Sequence, residues 1–234
     1  MIYVMSDIHG HEERFDSIIK QIDLKTKDTL YVLGDVIDRG KNGVHILQKI
    51  MKMSNVKMLL GNHELMMLDA IERNTTSRVN GNPWKIDKEI RIWYENGGRA
   101  THEQFKDIDE FSQKEILIYL NSLPLNIDVR VNGIKYKLVH ASPVERSILE
   151  NYRNINTDYA IAEYAVWKRW ASGDNVPDGY TLVFGHTPTC HLQEDSPWCA
   201  WKGDNAIGID CGCGFSGGRL LCLRLDDGAE FYAD

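Results

Sequence analysis

Ile2-Tyr3-Val4-Met5-Ser6-Asp7-Ile8-His9-Gly10 is an apolar run, too short for a helix, that stops at a polar cluster. The same design recurs along the chain. Leu30–Leu33 runs into Gly34-Asp35-Val36-Ile37-Asp38-Arg39-Gly40, and Val56–Leu60 into Gly61-Asn62-His63-Glu64. Tyr136–Val139 meets His140, Leu182–Phe184 meets Gly185-His186-Thr187, and Ala206–Ile209 meets Asp210-Cys211-Gly212. Runs this short and this rich in Val, Ile, Leu and Tyr read as buried strands.

Helical spacing separates the first three strands. Phe15, Ile18, Ile19 and Ile22 fall at i, i+3, i+4 and i+7; Val44, Leu47, Ile50 and Met51 repeat the pattern, and Leu65, Met66, Leu68 and Ile71 roughly continue it. Strand and helix in alternation imply an α/β fold with parallel βαβ units. Ligands of such sheets sit beyond the carboxyl ends of the strands, where every polar cluster lies. The stretch 74–123 breaks the rhythm. Ile90, Trp93 and Tyr94 predict one helix there, and Ile116, Leu117 and Leu120 another, so it reads as a helical insertion beside the site. A further helix is expected around Asp158–Trp170, and a hairpin over Arg219–Leu225 and Glu230–Tyr232. The whole, 1–234, is expected to form one domain.

The 234 residues carry a net charge of −7, which removes any general basic footprint for nucleic acid or anionic membrane. No run approaches the roughly 18–20 apolar residues of a membrane span, and no secretory signal precedes the first strand. The five cysteines, Cys190, Cys199, Cys211, Cys213 and Cys222, are an odd number. They read as free thiols of a cytoplasmic protein; a redox or metal role for Cys211-x-Cys213 is the alternative.

Singly, each polar cluster has a plain explanation as a helix cap, a turn or a satisfied core histidine. Jointly they do not, because burying so many polar groups without a partner is costly. A pair of divalent cations supplies the partner. Asp7, His9 and Asp35 are assigned to one ion, and Asp35, Asn62, His140 and His186 to the other. Asp35 is the bridge that two ions about 3.5–4 Å apart require. Carboxylate, amide and imidazole donors suit Mn²⁺, with Fe, Zn, Mg or Co as alternatives. Two such ions leave a locally cationic pocket in an acidic protein, which suits a phosphate.

Asp7-x-His9-Gly10, Gly34-Asp35-x-x-Asp38-Arg39-Gly40 and Gly61-Asn62-His63-Glu64 occur in this order, with His140 and Gly185-His186-Thr187 after them. This set resembles the phosphoprotein phosphatase family of calcineurin-like metallophosphoesterases over most of the chain. The ending Ile209-Asp210-Cys211-Gly212…Gly218-Arg219-Leu220 looks like its small bacterial and phage Ser/Thr phosphatase branch. The resemblance implies a central β-sandwich flanked by helices in α-β-β-α layers. It also implies attack in line on phosphorus by a hydroxide bridging the ions, the water's pKa falling from about 15.7 towards 7. His63 would be the general acid, Asp38 would orient it, and Arg39 would grip phosphate oxygens. A second arginine is implied between His140 and His186. Arg169, in Trp167-Lys168-Arg169, is nominated, with Arg153 and Arg146 as alternatives. The chain departs from the eukaryotic members at Ala141-Ser142-Pro143, where those have glycines, and it shows no counterpart of their toxin-binding loop.

The expected substrates are therefore phosphorylated proteins or small phosphoesters, with no nucleic acid or membrane partner. Asp38-Arg39, Glu64 and Pro188 favour a Ser/Thr protein phosphatase over other metallophosphoesterases. A symmetrical bis(5'-nucleosyl)-tetraphosphate hydrolase has nearly the same motifs and is the alternative.

Overall fold

The computed structural model describes residues 1–73, 83–144, 157–171, 173–195 and 197–234. The expected strands are there, arranged in two five-stranded mixed sheets. The first has the order β10-β9-β1-β2-β3, made of Glu230–Ala233, Leu220–Arg224, Ile2–Met5, Thr29–Val32 and Val56–Met58. Its last three strands are parallel, as the βαβ reading requires, with helices α1 (Glu12–Ile22) and α2 (Gly43–Lys52) between them. The second sheet has the order β4-β5-β6-β8-β7: Asn126–Val131, Ile134–Val139, Thr181–Phe184, Ala206–Gly208 and Trp201–Gly203. Here β5, β6 and β8 are parallel.

Alternation along the strands decides which layer each side chain joins. Val4, Tyr31 and Leu33 pack with Tyr136, Leu138, Val183 and Leu221 in one cluster, the filling between the sheets. Their neighbours Tyr3, Met5, Leu30 and Val32 turn outward and pack with Phe15, Ile18, Leu47 and Ile50 of the two helices. On the far side, Val139, Leu182 and Phe184 are covered by Trp170, Val176 and Leu192. Together these make the expected sandwich flanked by helices. The two edge strands β4 and β7 were not anticipated. Both enter through two-residue turns with a left-handed residue, Asn132-Gly133 and Asp204-Asn205.

Helix α3 (Asn62–Leu68) continues into a π turn, Asp69–Arg73. The insertion is helical where described: α4 (Pro83–Glu95), α5 (Arg99–Asp107) and α6 (Glu110–Ser122). Its residues 74–82 lie outside the described residues, as do Arg146 and Arg153. The expected later helix is α7, Thr157–Trp167, which stops three residues before Trp170. Among the described residues no helix is long and apolar enough to cross a membrane. All five cysteines are free; burial pushes the Cys213 thiol up to about 12 and raises Cys211 and Cys222 as well, so none of these three is a ready thiolate.

Candidate active site

Both parallel triplets end at the same edge of the sandwich. Following the six strands β1, β2, β3, β5, β6 and β8 come Asp7, Asp35, Asn62, His140, His186 and Asp210, and all six are buried. Turning the chain so sharply at a strand end takes unusual backbone. Asp7, His9, Asp35, Asp38, Arg39 and His186 all adopt positive φ, between 50° and 72°, a region that costs a non-glycine residue free energy. The two sheets also touch closely here. A Cβ on Gly185 would stand 2.4 Å from Asp7 Oδ2, and one on Gly34 3.0 Å from His140 Nδ1. Main-chain hydrogen bonds seal the join: His186 N donates to Asp7 Oδ2 at 3.0 Å, and His140 Nδ1 donates to the Leu33 carbonyl at 2.6 Å.

These hydrogen bonds fix which imidazole nitrogen faces the centre. His140 Nε2 is left as an acceptor, yet it faces two more acceptors, Asn62 Oδ1 at 2.9 Å and Asp35 Oδ1 at 3.5 Å. His9 donates from Nδ1 to the Ile37 carbonyl, leaving Nε2 3.8 Å from Asp35 Oδ2 and 3.9 Å from Asp7 Oδ1. His186 Nε2 lies 3.3 Å from the Trp167 carbonyl, which leaves Nδ1 for the site. Converging lone pairs of this kind need a cation between them. The residues present therefore fit a pair of divalent ions: two buried clusters share Asp35, one with His9 and His63 and the other with His140 and His186, while Asp7 Oδ1 lies 3.9 Å from His9 Nε2 and Asn62 Oδ1 2.9 Å from His140 Nε2.

The electrostatics agree. Burial opposes charge on Asp35, but His140, His63 and His9 around it hold its carboxyl below the usual carboxylate range. Burial raises Asp7, reinforced by Asp35, and raises Asp210 well above its ordinary value, reinforced by Asp7. Three acidic groups thus crowd one pocket without enough positive charge of the protein's own. Burial, with His63 beside it, holds His9 well below the usual imidazole value; burial and His140 bring His186 to about 3. Neutral imidazoles are what a metal site requires.

A second group overlaps the first cluster at His63. His63 Nδ1 donates to Asp38 Oδ2 at 2.7 Å, and Trp93 Nε1 of α4 donates to the same oxygen at 2.8 Å. Burial lowers the His63 pKa, but Asp35 and Asp38 outweigh it and the net shift is upward. Its Nε2 opens on the cleft, 3.8 Å from Asp35 Oδ2 and 3.3 Å from Arg39 Nη2. Arg39 and Arg169 are both exposed and both line the cleft, together with Asn96, Trp167, Pro188 and Phe215. Arg169 donates to the His186 carbonyl at 3.2 Å, so it is held at the site and does not lie on a solvated helix face.

All ten residues singled out in the sequence are thus brought together. Residues 1–207 match the calcineurin-like phosphoesterase family. The chain belongs to that family. As a calcineurin-like phosphoesterase it is a hydrolase of phosphoric ester bonds, and its substrate is not specified by membership. It is similar to serine/threonine-protein phosphatase 2 of Escherichia coli, 31% identical over 144 residues, which cover 60% of this chain and 57% of that protein. The chain thus spans less than two thirds of that relative's length. It is also similar to the symmetrical bis(5'-nucleosyl)-tetraphosphatase of an Enterobacter species, at 23% identity but over 98% of this chain and 93% of that one. In fold it resembles a metallophosphoesterase from Sphaerobacter thermophilus, with a TM-score of 0.56 and 14% identity over 99% of this chain and 86% of the other.

Sequence reasoning left several of this phosphoesterase's site residues without a role. Glu64 accepts four backbone N–H groups, from Asp35, Val36, Ile37 and Gly61, at 2.8–3.3 Å. It clamps the loop that carries Asp35. Burial and Asp35 push it up to about 7, against the pull of those amides. Trp93 and Thr101, which accepts from Asp38 N at 2.9 Å, hold Asp38 from the insertion. Gly97, just after α4, accepts from Arg39 N at 3.1 Å and so holds the Arg39 backbone. Asp210 lines the cleft. Its place after β8 repeated the strand-end pattern and was the one signal available.

Proposed function

We propose that this chain is a metal-dependent phosphomonoesterase that acts on phosphoserine and phosphothreonine in proteins. The observation that carries the reading is the placement of the His63–Asp38 pair and two exposed arginines around one cleft lined by the clustered His and Asp side chains. Asp7, His9 and Asp35 would hold one divalent cation, and Asp35, Asn62, His140 and His186 the other, with Mn²⁺ the ion best suited to these donors. When bound, such cations neutralise phosphate charge and acidify a water.

The chain's own residues do the rest. Arg39 and Arg169 take phosphoryl oxygens through planar N–H forks and orient the group. His63 gives the proton on Nε2 to the departing oxygen. Asp38 fixes the ring's orientation through Nδ1 and favours its protonated form. Distance alone would let His63 join His9 and Asp35 as a ligand. The Arg39 guanidinium, 3.3 Å from Nε2, opposes this, because it would sit against the same cation. The arginines are exposed at the mouth of the cleft and His63 lies buried within it, so a phosphoryl group entering between the arginines would meet His63.

A second reading has its own support. The tetraphosphatase relative aligns over nearly the full length of both chains, the protein phosphatase relative over little more than half. The two are separated by measuring kcat/KM for a phosphoserine peptide and for diadenosine tetraphosphate with the Mn²⁺-loaded enzyme. The peptide should be preferred. A preference for the dinucleotide by tenfold or more transfers the assignment to the tetraphosphatase reading.

A further inference from the structure

The loop between β8 and β9 carries a large apolar side chain that belongs to no core cluster. Phe215 is 46% exposed. Its ring lies under the Arg39 guanidinium, with Cζ 4.9 Å from the ring centroid. Its other contact is Trp198, stacked at 17° with centroids 6.2 Å apart. Two glycines make the stack fit. A Cβ on Gly214 would stand 2.9 Å from Arg39 Cδ, and one on Gly212 would stand 2.2 Å from Trp198 Cζ3.

Arg39 needs such a support. Its backbone is fixed by the Gly97 carbonyl and a left-handed φ of 62°, but its side chain is exposed. Among the described residues no carboxylate pairs with its guanidinium. A carboxylate would fix the group at the cost of cancelling its charge and occupying its N–H donors. An aromatic face attracts the cation through the ring quadrupole and uses none of the in-plane donors. The guanidinium is thereby restrained without spending its donors on the ring, and apart from Nη2, which lies 3.3 Å from His63 Nε2, they stay available to an anion.

We propose that Phe215, backed by Trp198, is a positioning residue that holds the Arg39 fork towards the phosphoryl site without itself using the N–H donors. This rests on the reading of Arg39 as a phosphate-binding group. The probe is inorganic phosphate, measured as a competitive inhibitor of p-nitrophenyl phosphate hydrolysis by the metal-loaded enzyme. Arg39→Ala should weaken phosphate by about tenfold or more, as loss of a charge-assisted pair does. Phe215→Leu keeps apolar volume but removes the π face. It should raise Ki by about 2–5-fold, the worth of an exposed cation–π contact, and Phe215→Trp should restore it. In an Arg39→Ala background, Phe215→Leu should change nothing.

An equal rise in Ki in both backgrounds would mean that the ring touches the ligand or merely supports the loop, and the proposal falls. No rise in either background also overturns it. If Arg39→Ala itself leaves Ki unaltered, the phosphate-binding reading of Arg39 fails first. A costly Arg39→Ala without coupling to Phe215 sinks the stack alone.

Discussion

Glu64→Gln is the substitution that most directly tests how the fold holds the site. The Glu64 carboxylate uses both oxygens: Oε2 accepts from Asp35 N at 2.8 Å and Gly61 N at 3.1 Å, and Oε1 from Val36 N at 2.9 Å and Ile37 N at 3.3 Å. Glutamine matches the shape but offers one acceptor and one donor. Whichever way the amide turns, its NH₂ faces two backbone N–H groups that have no other partner. A buried donor left unpaired costs about 1–3 kcal/mol, so the pair costs about 2–6 kcal/mol. Total stability in domains is about 5–15 kcal/mol. The loss is therefore large, and it falls on the loop that carries Asp35, Asp38 and Arg39. Urea unfolding of the metal-free protein measures it without interference from ion binding. The midpoint should fall while the slope stays constant, and Glu64→Leu, which strands all four amides, should cost more than Glu64→Gln. If Glu64→Gln lies within about 0.5 kcal/mol of the parent, as an ordinary surface change would, the clamp is not what holds this loop.

Three further outcomes are expected. His63→Asn should keep two metal equivalents by elemental analysis but lose kcat by roughly 10²–10⁴, less for substrates with good leaving groups; equal losses across leaving groups would remove the general-acid role. Asp35→Asn should weaken both metal sites together in a calorimetric titration, because the carboxylate is shared, and two ions bound with parent affinity would show the bridge lies elsewhere. Since Asp35 and Asp38 raise the His63 pKa, kcat should fall with rising pH only above the ordinary imidazole value. Asp38→Asn withdraws part of that support, so the falling limb should move to lower pH; a limb that stays in place would detach it from this dyad.

What was legible in the chain was its strand ends. Ser6-Asp7-Ile8-His9-Gly10 and its five counterparts stand where short apolar runs stop, and in parallel sheets that position alone brings side chains to one edge. The six candidate metal ligands, His63 and Arg39 all sit in such clusters. Arg169 lies outside them, and only the resemblance pointed to it. The hairpin of β4 and β5 was missed although Asn132-Gly133, between Ile127, Val129, Val131 and Ile134, is a strong turn signal. The polar residues of 126–137 masked it, because an edge strand exposes every second side chain and reads as loop. The partners of Asp38 and Asp35 were not readable at all. Trp93 and Thr101 belong to no motif, and Glu64, though inside one, gave no sign that it holds the Asp35 loop; their roles exist only once helices have packed.

That division explains how the site is supported. Six non-glycine residues with positive φ cluster at one sheet edge, each a conformation that costs about 1–3 kcal/mol and survives only where its surroundings over-determine it. The surroundings come from three directions. The second sheet holds Asp7 through the His186 amide and meets Leu33 through His140. Helix α3 holds Asp35 through Glu64 and through the His63 amide, which donates to Asp35 Oδ1 at 3.0 Å. The insertion holds Asp38 and Arg39 through Trp93, Thr101 and Gly97. The candidate ligands are therefore fixed by the sandwich and α3, while Asp38, the partner of His63, and Arg39 are fixed by the insertion. A change in the insertion can thus alter proton transfer and phosphate binding while leaving the cation donors in place.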